Sequence, residues 1–114
     1  LRAAVPGYYP RQVKKDGAFA VPEDMCVVAY DIYVVAGKGA TDATVENLLR
    51  TVWDHGDKLP PLHPIFREWT RERLAAAEIT IPYHPASIRF FKEKGKWTPE
   101  MERSQAQILS ANPR

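Results

Sequence analysis

The run Met25-Cys26-Val27-Val28-Ala29-Tyr30-Asp31-Ile32-Tyr33-Val34-Val35-Ala36 constrains this chain more than any other stretch. β-Branched and aromatic residues dominate it, so it is predicted to be strand. Its even positions, Cys26 through Ala36, are apolar apart from the Tyr30 hydroxyl, and its odd positions are apolar apart from Asp31. Both faces of such a strand call for burial, as in the centre of a sheet covered on each side. At about 3.3 Å per residue the run spans roughly 40 Å, twice a typical strand. A break near Tyr30-Asp31 resolves the excess, giving two short strands or one strand that crosses between lobes. Asp31, the lone carboxylate of the run, must find a partner, reach solvent or become neutral.

Around that run the chain divides into three parts. Residues 1–24 carry Pro6-Gly7, Pro10, Gly17 and Pro22 and read as a loop or arm. Within it, Tyr8-Tyr9 form a proline-stiffened aromatic pair that either anchors on a core or walls a pocket. Residues 25–36 are the hinge-type strand. Residues 41–114 are predicted to be helical. Thr41 is an N-cap with Asp42 in the first turn, and Val45, Leu48, Leu49, Val52 and Trp53 form one apolar stripe ending at Gly56. That stripe predicts a core face on which truncating Trp53 to alanine costs about 3–5 kcal/mol. A second helix is predicted from Pro64 to Ala77, with Ile65, Phe66, Trp69 and Leu74 inward. Ile79-Thr80-Ile81 is a short strand or an extended connector. A third helix opens at Pro85, with Ile88 and Phe91 on one side, an Arg89–Glu93 pair and Gly95 as its stop. Thr98-Pro99-Glu100 starts a fourth, with Met101, Ile108 and Leu109 inward.

Composition removes several function classes. At 114 residues, 45% hydrophobic and 26% charged, the chain has the make-up of one globular domain rather than a disordered or collagen-like sequence. It begins at Leu1 and its first methionine is Met25, so it is expected to be a piece of a longer protein. The net charge of +2 is interspersed, and the densest basic run, Lys92, Lys94 and Lys96, is broken by Glu93, which disfavours nucleic acid. A single cysteine, Cys26, excludes an internal disulfide and is predicted to be a buried small hydrophobe. His55, His63 and His84 have no metal-ligand spacing and suit helix ends and turns. Gly37-Lys38-Gly39 lacks the spacing of a phosphate loop, and no serine nucleophile elbow occurs. The residues predict a non-enzymatic chain with no cofactor.

The segment Pro82-Tyr83-His84-Pro85-Ala86-Ser87-Ile88-Arg89-Phe90-Phe91-Lys92-Glu93-Lys94-Gly95, with Trp97 after it, resembles a signature near the C-terminus of the TAXI-family solute-binding proteins of TRAP transporters. Pro6-Gly7-Tyr8-Tyr9-Pro10 is similar to that family's Gly-x-Tyr-Pro segment, and the long strand, the stripe helix and His63-Pro64 follow in matching order. Ala86-Ser87 stand where the family usually has Gly-Ala, a departure that suits a helix start. The resemblance implies an α/β fold: the C-terminal part of a type II periplasmic-binding-protein-like two-lobe structure, with a few short strands and about four helices. It implies a periplasmic receptor that binds a small organic anion, of amino acid or dicarboxylate type, and delivers it to membrane permease subunits. The residues expected to reach the ligand are Tyr8, Tyr9, Tyr30 and Asp31. A piece of such a receptor is expected to expose the surface of its missing lobe, with a homodimer as one consequence. The alternative from the residues alone is an autonomous helical protein-interaction domain with no small-molecule ligand.

Overall fold

A computed structural model of the chain describes residues 4–18 and 20–112. The first three residues and position 19 of the predicted arm lie outside the described residues. The chain forms two compact units, Leu1–Val34 and Val35–Arg114.

The first unit is a two-stranded antiparallel ribbon of β1, Tyr8–Val13, and β2, Met25–Tyr30, in the register Tyr8↔Tyr30 through Val13↔Met25. Residues 8–13 therefore belong to a strand and not to the predicted arm. Pro10 made this segment read as loop, but a proline is tolerated on an edge strand, where one row of donors need not enter a ladder. The connection between the strands is a loop, as predicted. Asp24 closes it, accepting from Lys14 Nζ and from the Lys15 amide, each at 2.8 Å. The Lys14 ammonium holds the Asp24 carboxyl below the usual carboxylate range.

The long run ends as a strand at Tyr30, at the predicted break, and residues 31–37 have no regular structure. The expectation of burial on both faces is overturned. Along β2 the odd residues are half-buried and the even ones exposed, including Cys26, and Val28, Tyr30, Ile32 and Val34 are each about 60% exposed. Among the described residues the sheet has two strands, and the even-numbered apolar residues of β2 stand exposed.

Among the described residues the second unit contains three α-helices: α1, Asp42–His55; α2, Pro85–Glu93; and α3, Pro99–Ala111. All three starts were legible. Thr41 caps α1 by accepting from the Thr44 amide, His84 caps α2 through Nδ1 to the Ala86 amide, and Thr98 caps α3 by accepting from the Met101 amide. Gly56 follows the end of α1, but in right-handed conformation, and the chain tightens there into a 3₁₀ turn, Gly56–Lys58.

The predicted helix over residues 64–77 does not form. Pro64–Glu68 is a 3₁₀ segment capped by His63 Nδ1, and residues 69–84 are turns and extended chain, with Ile79-Thr80-Ile81 a connector. In 3₁₀ geometry side chains three apart eclipse. Phe66 and Trp69 do so, meeting edge to face with centroids 5.1 Å apart. An irregular connection also suits the topology. Asp42, at the start of α1, meets Arg89 at 2.6 Å, and Arg50, near its end, meets Glu93 at 3.1 Å, so α1 and α2 run in the same sense. The chain between them must return along the roughly 20 Å length of α1 before α2 begins.

Those two contacts also replace the predicted Arg89–Glu93 pair: each partner reaches across to α1. Arg50 bridges Glu46 and Glu93 and holds the Glu93 carboxyl below its usual range. The core is an edge-to-face chain of rings, Trp53–Phe90–Phe91–Tyr83–Trp97, with neighbouring centroids 5.4–5.9 Å apart. Phe90, Phe91, Ala86, Met101 and Val45 are buried, whereas Leu48 and Leu109, predicted inward, are exposed. Trp53 is only half-buried, so it does not carry the full core-truncation cost expected of it.

Gly95 stops α2 as predicted, by a left-handed cap at φ +68°. The Lys96 amide bonds the Phe91 carbonyl at 2.8 Å and the Gly95 amide bonds the Lys92 carbonyl at 3.1 Å, the two bonds of a Schellman motif. Gly95→Ala is expected to destabilise by about 1 kcal/mol from backbone strain alone, because a Cβ there meets no atom within 4 Å. Gly37 is equally open but has no positive φ, so Gly37→Ala should be near neutral; equal urea midpoints for the two variants would contradict the cap.

Candidate functional site

The ribbon places the four residues singled out from the sequence at one of its ends, as two pairs on opposite sides. Tyr8 and Tyr30 are register partners, and their rings lie 5.6 Å apart at a tilt of 48°. Side chains alternate across a strand, so Tyr9 and its register partner Ala29 occupy the opposite side. Asp31, two residues beyond Ala29, falls to that same side and diagonal to Tyr9. The Tyr9 hydroxyl donates to Asp31 Oδ1 at 2.9 Å.

Asp31 thus meets the demand its setting imposes by finding a partner, and both it and Tyr9 are half-buried. Tyr8 and Tyr30 are more open, at 39% and 63% exposure. The result is an aromatic pair on one side of the ribbon end and a hydroxyl-supported carboxylate on the other. Rings of this kind offer π faces and hydroxyl donors, and a carboxylate accepts from ammonium or amide groups.

His63 and His84 act as caps, and His55 closes the last turn of α1, the helix-end roles expected of them. Among the described residues, no group of three or more His, Cys, Asp or Glu lies close enough to hold a metal ion. No helix among them is long and apolar enough to cross a membrane.

Two features escaped the sequence reading. Gln105 is buried on α3 and bonds both backbone groups of Tyr83, accepting from its amide at 2.8 Å and donating to its carbonyl at 3.1 Å. The second is a cleft in the second unit, of about 400 Å³, lined by Trp53, Asp54, Asp57, Phe66, Arg67, Trp69 and Arg71 among others. It was hidden because residues 64–77 carry the apolar spacing of an ordinary amphipathic helix, whereas they fold as a 3₁₀ segment and turns.

No curated protein and no solved structure matches the chain. The model of the NMT1-like family matches residues 1–95, which takes in the ribbon, α1 and α2 and stops short of α3. The chain therefore belongs to the NMT1-like family, a family of periplasmic solute-binding type.

Proposed function

We propose that this member of the NMT1-like family is part of an extracytoplasmic receptor of TAXI type, which binds a small organic anion and hands it to the permease subunits of a TRAP-type secondary transporter. The assembly of Tyr8, Tyr9, Tyr30 and Asp31 at one end of the ribbon carries the reading. The ordered motifs from Pro6-Gly7-Tyr8-Tyr9-Pro10 to Gly95 and Trp97 support the TAXI assignment.

The site chemistry favours an amino acid over a dicarboxylate. On the side that carries Tyr9 and Asp31, the Asp31 carboxylate, held by the Tyr9 hydroxyl, attracts an ammonium group and repels a second carboxylate. No cofactor enters this scheme.

The test is titration calorimetry on the full-length parent with glutamate, leucine, succinate and fumarate. Saturable binding of an amino acid is expected, and no saturation across the panel counts against the receptor. Asp31→Asn keeps an acceptor for Tyr9 and removes the charge, so it is expected to weaken amino acid binding about tenfold with little change in melting temperature. Unchanged affinity with a lowered melting temperature would show Asp31 to be structural.

A further inference from the structure

The cleft at the end of α1 is built entirely from residues of the second unit and does not depend on the reading of the ribbon. Its volume, about 400 Å³, lies within the range of small-molecule sites. Two chain segments form it: the last turn of α1 with the 3₁₀ turn after it, and the stretch from Pro60 to Arg71. They come close where the Trp69 carbonyl lies 3.8 Å from the position a Gly56 Cβ would take.

The wall is aromatic. Trp53, Phe66 and Trp69 are half-buried, which leaves part of each ring to a ligand, and the edge-to-face contact of Phe66 with Trp69 fixes both planes. Arg71 is held in place. Its Nε donates to the Trp53 carbonyl at 3.0 Å, and its guanidinium lies 5.2 Å from the Trp53 ring.

Charge gives the cleft its specificity. Asp54 and Asp57 come from the α1 side, and Arg67 and Arg71 from the Pro60–Arg71 side. Among the described residues none of the four forms an ion pair, so the two signs face one cleft without cancelling each other. A purely anionic or purely cationic ligand meets like charges on one segment. A zwitterion meets opposite charges on both, and a ring attached to it has an aromatic wall to cover.

We propose that this cleft binds a free aromatic α-amino acid. Its ammonium pairs with Asp54 and Asp57, its carboxylate with Arg67 and Arg71, and its ring packs against Phe66 and Trp69. The charged groups stand in solvent, where each pairing is weak. The site is therefore one of modest affinity, with Kd about 1 mM or tighter.

Two of the three tryptophans, Trp53 and Trp69, line the cleft, so selective tryptophan excitation reports on it. Titration of the 114-residue chain with L-phenylalanine is expected to give a saturable change in tryptophan emission. Phenethylamine, which lacks the carboxylate, and 3-phenylpropionate, which lacks the ammonium, are each expected to bind about tenfold more weakly. Arg67→Gln should weaken phenylalanine but not phenethylamine, and Asp57→Asn should weaken phenylalanine but not 3-phenylpropionate. Amide and indole shifts in proton–nitrogen spectra should fall on residues 52–71. Lack of saturation, equal affinity for the two truncated ligands and phenylalanine, or shifts confined to residues 8–13 and 25–31 would each overturn the proposal. The ligand series uses the unmodified chain and holds whether or not the variants fold, and the spectra locate the binding independently of the ribbon site.

Discussion

Phe91→Ala is expected to lower the unfolding free energy by about 3–5 kcal/mol, the range for truncating a fully buried aromatic ring. Phe91 is 1% exposed and touches both of its neighbours in the ring chain, Phe90 at 5.6 Å and Tyr83 at 5.9 Å. Both contacts are edge to face, so the cavity left behind has rigid walls that collapse poorly. Total stabilities of single domains run from about 5 to 15 kcal/mol, so this one change removes a large share. Urea denaturation measures it, with Leu48→Ala as the comparison. Leu48 belongs to the predicted core stripe but is 48% exposed, and its loss should cost under about 1 kcal/mol. Similar midpoints for the two variants would mean that the core does not centre on Phe91.

The contrast between Leu48 and Phe91 marks where sequence reading stops. A helical period fixes a stripe about one face wide, but the neighbour decides which flank of it is covered. α2 covers the side of α1 that carries Val45 and Trp53, so Leu48 is left out; Leu109 on α3 fares the same way. Helix starts, by contrast, depend on bonds between residues two or three apart. Thr41 and Thr98 were therefore readable as caps without knowledge of the tertiary fold, and His63 and His84 as residues of helix ends and turns, where both turn out to cap. Strand β1 was not, because the evidence for it is pairing with residues as far as 22 positions away. Ion pairs divide in the same manner. Glu46–Arg50, four apart on one helix, forms alongside the cross-helix bond of Arg50 to Glu93, while the local Arg89–Glu93 spacing is bypassed in favour of partners on α1.

The ribbon residues were visible as oddities: two adjacent tyrosines among prolines, and one carboxylate inside an apolar run. Their geometry was not, since the Tyr9–Asp31 bond and the Tyr8–Tyr30 contact both follow from the β1–β2 register. The cleft lay further out of reach. Part of its wall, Phe66, Arg67, Trp69 and Arg71, lies in a stretch whose apolar spacing fits a regular helix, and its other side comes from the end of α1, so its closure depends on tertiary contacts between the two.

Gln105→Ala is the second large effect to expect, at about 2–4 kcal/mol. Gln105 is 7% exposed and would read as a surface residue from its polarity alone. Its amide satisfies both backbone groups of Tyr83, accepting at 2.8 Å and donating at 3.1 Å. Tyr83 in turn orders the chain before α2, because its hydroxyl accepts from the Ala76 amide and donates to the Ala76 carbonyl, at 2.8 and 2.9 Å. The glutamine thus ties α3 to a connector that has no ladder or helix of its own to hold it. Alanine leaves the part-buried N–H and C=O of Tyr83 without that partner, and each such loss falls in the lower part of the range of about 1–3 kcal/mol. Gln105→Glu separates hydrogen bonding from packing: its carboxylate still accepts from the Tyr83 amide but cannot donate to the carbonyl, so its cost should fall between wild type and alanine at neutral pH. Recovery of Gln105→Glu as the pH falls, when the protonated carboxyl regains a donor, is the signature expected of the bidentate tie. A Gln105→Ala variant as stable as wild type would show that water replaces both bonds and that the buried Met101 and the contacts of Glu102 with Trp97 and Lys92 suffice to hold α3.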